Sequence, residues 1–490
     1  FVITPSPYEK GVIWIGTDDG KVHITRDGGE TWKDVTPSNM PKWSMVNSID
    51  QSPHDPSTAY MAATRYKLDD FKPYLYKTTN YGKSWKLITT GIAKDAYTRV
   101  VREDPTRKGL LYAGTETGLY ISFDDGKNWK PFQLNLPVVP VTDLLVKEKD
   151  LVVATQGRAF WILDDLTPLY QLSGKISGAK AHLFDPRDTY RLPGGGGWGG
   201  PSPNSGANPP NGVMTFFTLS EELGEDGEFT LEYLESDGDV IKTFTNKKDE
   251  KSSEPTAETK KGMNRFVWNM RYPDAKKVPG AVMWGGTHIG PKAVPGEYQV
   301  RMTVNGKSQT QSFKILKDPR ISTTQADFQA QFDLLMEIRD RTSEINQKVI
   351  TIRSIKSQVK TLADLMEKSG FENENIVTVG KELSKKLSTI EEELIQVKSK
   401  SGQDPLNYPI KLDNKIAALV RVVSSVDAKP TAQSHQVLGD LVAQAESHYT
   451  QLDQVLNNDL LQFNEMVSKA EIPAVMIGSE DPELIWPKKR

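Results

Sequence analysis

The stretch ITRDGGETWKDV, residues 24–35, has the form Ser/Thr-x-Asp-x-Gly-x-x-Trp, supplied by Thr25, Asp27, Gly29 and Trp32. The form returns in KTTNYGKSWKLI, with Thr78, Asn80, Gly82 and Trp85, and in ISFDDGKNWKPF, with Ser122, Asp124, Gly126 and Trp129. Successive tryptophans of the motif lie 53 and 44 residues apart. A repeat of that period marks a propeller or a similar array. In such a turn the Asp or Asn accepts backbone N–H groups, and the Gly takes a positive φ. The Trp buries a large apolar surface between sheets, its indole N–H left to find a partner. Each part of the motif has a structural task, so it reads as a turn clasp and not as a catalytic set.

Outward from the motif, residues 1–168 alternate short apolar runs such as GVIWIGT, YLYKT, LLYAGT and LVVAT with Gly, Asp, Asn and Pro clusters. That is the pattern of an all-β array. Aligning the copies predicts four-stranded blades, in which the second strand ends at Gly16-Thr17, Ala63-Thr64, Gly114-Thr115 and Ala154-Thr155. The motif turn then joins the third strand to the fourth. Four blades are expected, and the last, VTDLLVKEKDLVVATQGRAFWILDD, has no motif and no evident fourth strand. Four is the lower edge for a closed propeller, and an open one exposes faces and unpaired edges. The expectation is part of a seven-bladed propeller, completed by a further N-terminal portion of the same protein or by another subunit. The chain opens directly on Phe1, with no signal peptide ahead of it, and reads as a processed chain or a fragment.

Residues 169–212 read as a connector and a Gly/Pro-rich linker, GGGGWGGPSPNSGANPPNG, with Trp198 expected to dock on a neighbouring domain. Residues 213–318 show six or seven short strands, a hairpin signal at VNGKS and a Gly/Pro-rich insertion at 274–296, which suggests an immunoglobulin-like sandwich. From STTQADFQ onward the period lengthens, through Phe328, Phe332, Leu335, Ile345, Val349 and Ile352. An antiparallel helical bundle is predicted over 319–472, its first helix capped by Ser322 or Thr323. Later helices are expected near 374–400, 409–427 and 431–470. An extended tail is expected over 473–490.

The net charge of −3, from 61 basic and 64 acidic residues, points to neither nucleic acid nor an anionic membrane as partner. No apolar run is long enough to span a bilayer. The absence of cysteine excludes disulfides, thiolate metal sites and cysteine nucleophiles. The six histidines have no metal spacing, and no phosphate-binding or nucleophile motif occurs, so neither a cofactor nor a metal is called for. Adjacent carboxylates such as Asp69/Asp70 and Asp164/Asp165 point to opposite faces of a strand and do not make a glycosidase pair by themselves. The connections between second and third strands, opposite the motif turns, hold the candidate ligand face. Arg65, Tyr66, Arg158 and Phe160 are its members, because an Arg beside an aromatic suits carboxylates, sugars or peptide backbone. The competing reading pairs these arginines with nearby aspartates. His288, near Trp284 in the insertion, is a further isolated candidate, and a loop tied back to the sandwich explains it as well.

The three motifs and the IGT and AGT strand ends resemble BNR/Asp-box propellers of sialidases, xyloglucanase-type glycoside hydrolases and sortilin. RYKLDDFKPYLYKTTNYGKSW, ATQGRAFWILDDLTPL, NRFVWNMRYP and VPGEYQVRMTVNGKSQTQSFKILKDPR resemble more closely a group of exported bacterial proteins. These carry a sortilin-like double propeller, an Ig-like domain and a C-terminal helical region. The resemblance implies that the chain is the C-terminal half of such a protein, exported to the periplasm, the outer membrane or the cell exterior. It does not imply an enzyme, since fold does not fix function. The expected function is a non-enzymatic scaffold or recognition protein that binds a peptide, a protein or an envelope-complex subunit through propeller and bundle. The alternative is a glycoside hydrolase whose site is shared with the other propeller half.

Overall fold

The structure, a computed structural model, describes residues 1–193, 206–224, 226–249, 254–368, 371, 373–470 and 472. Two compact units divide between Ala179 and Lys180. Trp198 and the tail 473–490, to which roles were given above, lie outside the described residues.

The first unit is built of small sheets in chain order. β1 (Val2–Pro5), β2 (Ile13–Gly16), β3 (Val22–Thr25) and β4 (Lys33–Asp34) make one antiparallel meander. β5 (Met45–Gln51), β6 (Ala59–Arg65), β7 (Asp70–Thr78) and β8 (Lys86–Leu87) make the second. β9 (Thr98–Glu103), β10 (Leu111–Thr115), β11 (Gly118–Ser122) and β12 (Lys130–Pro131) make the third. β13 (Val141–Lys147), β14 (Asp150–Thr155) and β15 (Phe160–Leu163) make a three-stranded fourth. Two short helices, α1 (Thr167–Gln171) and α2 (Gly174–Ser177), close the unit.

Three apolar cores lie between the four sheets, around Trp14 and Val46, around Leu75 and Val101, and around Tyr112 and Val141. The small residue that ends each second strand explains how the sheets approach so closely. A Cβ on Gly16 would stand 2.3 Å from Val46 Cγ1, and one on Gly114 would stand 2.6 Å from Val141 Cγ1. Those contacts are shorter than real Cβ contacts, so glycine there lets the next sheet's first strand seat. The sheets thus stack as propeller blades do.

In the second unit, two sheets enclose one core. β16 (Ala181–Leu183), β18 (Val213–Leu219) and β21 (Gly262–Trp268) form one, in the order β16-β18-β21. The other, in the order β17-β23-β22-β19-β20, joins β17 (Thr189–Arg191), β19 (Phe229–Glu235), β20 (Val240–Thr245), β22 (Gly296–Val304) and β23 (Lys307–Lys317). Tyr233 stacks on Trp268 at 4.6 Å between them, and Phe217 meets Phe229 at 4.9 Å. The connector expected over 169–212 is therefore only partly a connector. Its β16 and β17 complete the two sheets, β17 by parallel pairing with β23.

The bundle comprises α3 (Gln325–Lys368), α4 (Glu374–Leu394), α5 (Leu412–Val423), α6 (Ala432–Gln454) and α7 (Leu460–Lys469), α6 and α7 being joined by a π turn at Val455–Asp459. Two expectations are corrected. The cap of α3 is Thr324, not Ser322 or Thr323. Its Oγ1 accepts the Asp327 N–H at 3.2 Å while Asp327 Oδ2 accepts the Thr324 N–H at 3.2 Å, a reciprocal box. The helices expected at 374–400 and 409–427 are shorter, because Ile395 turns extended and Pro405 sits in a single 3₁₀ turn at Asp404–Leu406. No helix among the described residues is long and apolar enough to cross a membrane.

Candidate functional site

The turn residues that carry the sequence motif come first. In each copy the Ser or Thr hydroxyl bonds the Asp or Asn, by Thr25 to Asp27 at 2.7 Å, Thr78 to Asn80 at 3.0 Å and Ser122 to Asp124 at 2.9 Å. The same hydroxyl accepts the glycine N–H, from Gly29 at 3.0 Å, Gly82 at 2.9 Å and Gly126 at 2.9 Å. The glycines have φ of +106°, +78° and +77°. Hydrogen bonds, first from the Thr31 hydroxyl and N–H, hold the Asp27 carboxyl well below the usual range.

The tryptophans do not share one environment. Trp85 Nε1 donates to Val35 O and Trp129 Nε1 to Ile88 O, both at 2.7 Å and both on the preceding blade. Trp32 is 40% exposed and donates at 3.1 Å to Gly29 O in its own turn. The expected burial between sheets therefore fails for Trp32, where no blade is packed against it among the described residues.

At the opposite ends of the strands, β6 runs into a 3₁₀ turn at Tyr66–Leu68, closed by Asp69 at φ +56°. This longer connection and the Asp18 loop of the first blade enclose a cavity of about 330 Å³, lined by Trp43, Thr64, Arg65, Tyr66 and Leu68 among others. Gly20, at φ +93°, brings the Asp18 loop within 3.0 Å of the Ser44 carbonyl, measured from where a Cβ would stand. Trp43 is itself held at φ +64°, rare for a bulky residue, and is 65% exposed.

Around this cavity Tyr66 stacks on Tyr97 at 5.0 Å, and Phe71 stands 6.1 Å from Tyr97. The Arg99 guanidinium lies 5.4 Å from the Tyr97 ring centre, its Nε donating to Glu116 Oε2 at 2.7 Å. Arg65 donates from Nε to Lys42 O at 3.0 Å and pairs through Nη1 with Asp70 at 3.3 Å, leaving its Nη2 donors for a ligand. Burial pushes the Asp70 carboxyl up, but hydrogen bonds from Tyr74 Oη, Lys72 N–H and Arg65 outweigh it and hold it below its ordinary range. The result is an apolar, aromatic shelf with charge-balanced arginines at its edge.

Arg65 and Tyr66 thus meet, with Arg65 paired to one of the neighbouring aspartates. Arg158 and Phe160 stand in the corresponding connection of the fourth sheet, both exposed, and line no part of this cavity. Sequence reading missed Trp43 and Tyr97, which lie in segments between blades, and Arg99 of β9. For Trp43 the local signal was the PKW triplet at 41–43.

The innermost strands carry a second group. Arg102 donates to Ser48 Oγ and to Asp143 Oδ1, each at 2.7 Å, and lies 3.9 Å from Asp50. Burial pushes the Asp50 carboxyl up to about 6 against the opposing pull of Arg102. His288 is half-buried beside Asn346 of α3, at 3.4 Å. Its loop is tied both to the bundle and back to the sandwich, the latter by Arg271 Nη1 donating to Gly290 O at 2.7 Å and Ala293 N–H to Met270 O at 2.7 Å. Burial, aided by Lys277, lowers its pKa. No group of three or more His, Cys, Asp and Glu among the described residues is arranged to hold a metal ion.

No protein-family model matches the chain, and no curated protein does. Among solved structures, it is similar to YCF48 bound to D1 peptide, at 20% identity and TM-score 0.25, covering 31% of this chain and 48% of that one. YCF48 from Cyanidioschyzon merolae gives 18% identity and TM-score 0.25, over 33% and 51%. The Niastella koreensis GH74 enzyme gives 13% identity and TM-score 0.27, over 64% and 45%. The chain therefore spans about half of each of those structures, and likeness at such scores carries neither activity nor partner.

Proposed function

We propose that the chain is a non-enzymatic recognition protein that binds a peptide or protein segment on the shelf of Trp43, Arg65, Tyr66 and Leu68. The observation that carries this reading is Trp43, a large aromatic at a rare backbone conformation and open to solvent beside stacked tyrosines. Rigid aromatics offer contact area at low entropic cost, and unpaired Arg65 donors suit peptide carbonyls or a carboxylate. The bundle serves as a second docking element. Completion to seven blades, an immunoglobulin-like identity for the sandwich, and export belong to the same proposal.

The test is selection of peptides on the purified chain, followed by calorimetric titration. Trp43→Ala and Arg65→Ala should each weaken a selected peptide by about tenfold or more, as expected of an interface hot spot. Trp43→Ala should leave the melting temperature unchanged, because the side chain is exposed. Peptides whose affinity ignores both changes would remove the shelf from the reading.

A glycoside hydrolase is the second reading, favoured by the raised Asp50 carboxyl close to Arg102 and Asp143. Turnover of a polysaccharide that Asp50→Asn abolishes would establish it in place of the first.

A further inference from the structure

The clasp motif has a task beyond its own turn, visible because the molecule shows it filled twice and open once. Val35 follows β4, and Ile88 follows β8. Each is fixed by its own sheet, Val35 N–H to Val22 O at 2.8 Å and Ile88 N–H to Leu75 O at 2.9 Å. Each then enters the clasp of the next blade. A Cβ on Gly82 would stand 2.8 Å from Val35 Cβ, and one on Gly126 would stand 2.6 Å from Ile88 Cδ1. So the motif glycine is required twice over, for its positive φ and for the aliphatic side chain that occupies the place of a Cβ. The tryptophan completes the socket by capping the carbonyl of that same residue, as Trp85 does for Val35 and Trp129 for Ile88.

The residue before the glycine adds a polar latch. Tyr81 Oη donates to Glu9 at 2.9 Å and its ring lies 4.2 Å from the Arg26 guanidinium, while Asp125 accepts Tyr60 Oη at 2.6 Å and pairs with Lys77. All four partners belong to the preceding blade.

The first copy of the socket is open. A Cβ on Gly28 would meet nothing within 4 Å, and one on Gly29 would meet only the Trp32 ring, at 4.0 Å. Trp32 is the exposed member of the three, its indole N–H turned back on its own turn. We infer that the Gly29–Trp32 socket is a docking site for a four-stranded blade from another polypeptide segment, one that ends in an aliphatic residue with an uncapped carbonyl.

A second copy of this chain does not meet that description. Val35 and Ile88 are already seated, and Phe132, the residue after β12, packs into the core of the fourth sheet. The fourth sheet has no fourth strand among the described residues, and Leu166, which follows it, is buried in the same core. No spare plug remains among the described residues of the first unit. The occupant must bring its own, and the filled sockets define it: a branched aliphatic side chain and a strand-end carbonyl, with no polar latch because Gly28 stands where Tyr81 and Asp125 do in the other copies.

A chimera tests this directly, with a copy of residues 45–97, one repeat that ends past its own Ile88, fused ahead of Phe1 of the full chain. Hydroxyl-radical footprinting with peptide mass spectrometry reads each tryptophan separately. The expected result is a severalfold fall in Trp32 oxidation, to the level of Trp85, reversed when Ile88→Asp is placed in the added copy alone. Trp32 remaining as reactive as in the parent chain, with Trp85 and Trp129 protected in both, would overturn the inference. Self-association of the parent chain that protects Trp32 would overturn the choice of occupant. A chimera that fails to fold leaves a second measurement standing on the parent chain. Trp32→Ala should leave its melting temperature unchanged, whereas Trp129→Ala should lower it, and an equal loss from both would show the first socket to be already filled.

Discussion

Asp413 opens α5 almost wholly out of solvent, with one carboxyl oxygen lacking a hydrogen-bond partner. Burial raises its pKa to about 7, with the Asn414 N–H as the small opposing influence. The folded value lies above the ordinary carboxylate value, so the sign of the linkage is that of a group preferring to stay protonated in the fold. Its contribution is intact below about pH 4 and is lost as pH rises through about 7. Asp413→Asn should therefore raise stability at pH 8 by roughly 2–4 kcal/mol and leave it unchanged at pH 4, as read by urea denaturation at the two values. Gly82 gives a prediction of the opposite sign. Gly82→Ala combines a φ of +78° with a collision on Val35, and should cost about 2 kcal/mol or more, while Gly29→Ala meets only the strain of its φ. The difference between the two melting temperatures measures the plug. At this scale the clasp was legible because turn chemistry is local: Thr25, Asp27 and Gly29 lie within five positions of one another. The exposed state of Trp32 was not legible, since it depends on what stands against the blade, and the half-buried Trp85 carries the same motif. Nor were Trp43, Tyr97 and Arg99, whose meeting is set by the packing of one sheet on the next.

The elements follow from two kinds of signal, and they differ in how far they reach along the chain. Strands with Gly or Ala before a terminal Thr were readable as repeats, but the reason for the small residue is the neighbouring sheet, as Gly16 under Val46 shows. The VNGK hairpin was readable outright, because Asn305 at φ +47° and Gly306 at φ +77° are what a two-residue turn demands, and Val304 pairs with Lys307. β16 and β17 were not readable as sandwich strands. Each has three residues, too few for a period of two to show, and their partners β18 and β23 lie far along the chain. The start of α3 was misplaced by one or two residues because Ser322, Thr323 and Thr324 are all competent caps. Asp327 decides among them, by returning a bond to Thr324 and to no other. Thr324→Ala should cost about 1 kcal/mol in chemical denaturation, and Ser322→Ala close to nothing. Equal losses would mean that the reciprocal box does not set the helix start.

At the scale of the second unit, sandwich and bundle lie within one compact unit and are tied together across residue 318. Arg191, at the end of β17, is buried where they meet. It donates to Ala293 O at 2.9 Å, to Gln331 Oε1 at 3.2 Å and to Asp427 Oδ1 at 2.7 Å, with its guanidinium 4.9 Å from the Phe328 ring centre. One side chain from the connector thus binds the insertion, α3 and the segment after α5. The insertion at 274–296 adds further ties. Asn346 donates to Lys276 O at 2.6 Å, Asn414 Oδ1 accepts the Gly285 and Gly286 N–H groups at 3.1 and 2.9 Å, and Val278 is buried in the bundle core. None of this has a sequence period, which is why the insertion read as a loop and His288 as an isolated candidate. The consequence can be measured on fragments. Residues 180–472 retain both sheets and every one of these ties, and should unfold in a single cooperative transition with intact near-ultraviolet circular dichroism. Residues 213–318 lack β16, β17 and the Arg191 bonds, and should show neither. Within 180–472, Arg191→Ala leaves the half-buried Asp427 carboxylate and the buried Gln331 Oε1 without their partner, and should cost about 2–4 kcal/mol. A native spectrum and an unchanged melting temperature for 213–318 alone would instead make the sandwich an independent domain, with Arg191 a contact added to a fold already complete.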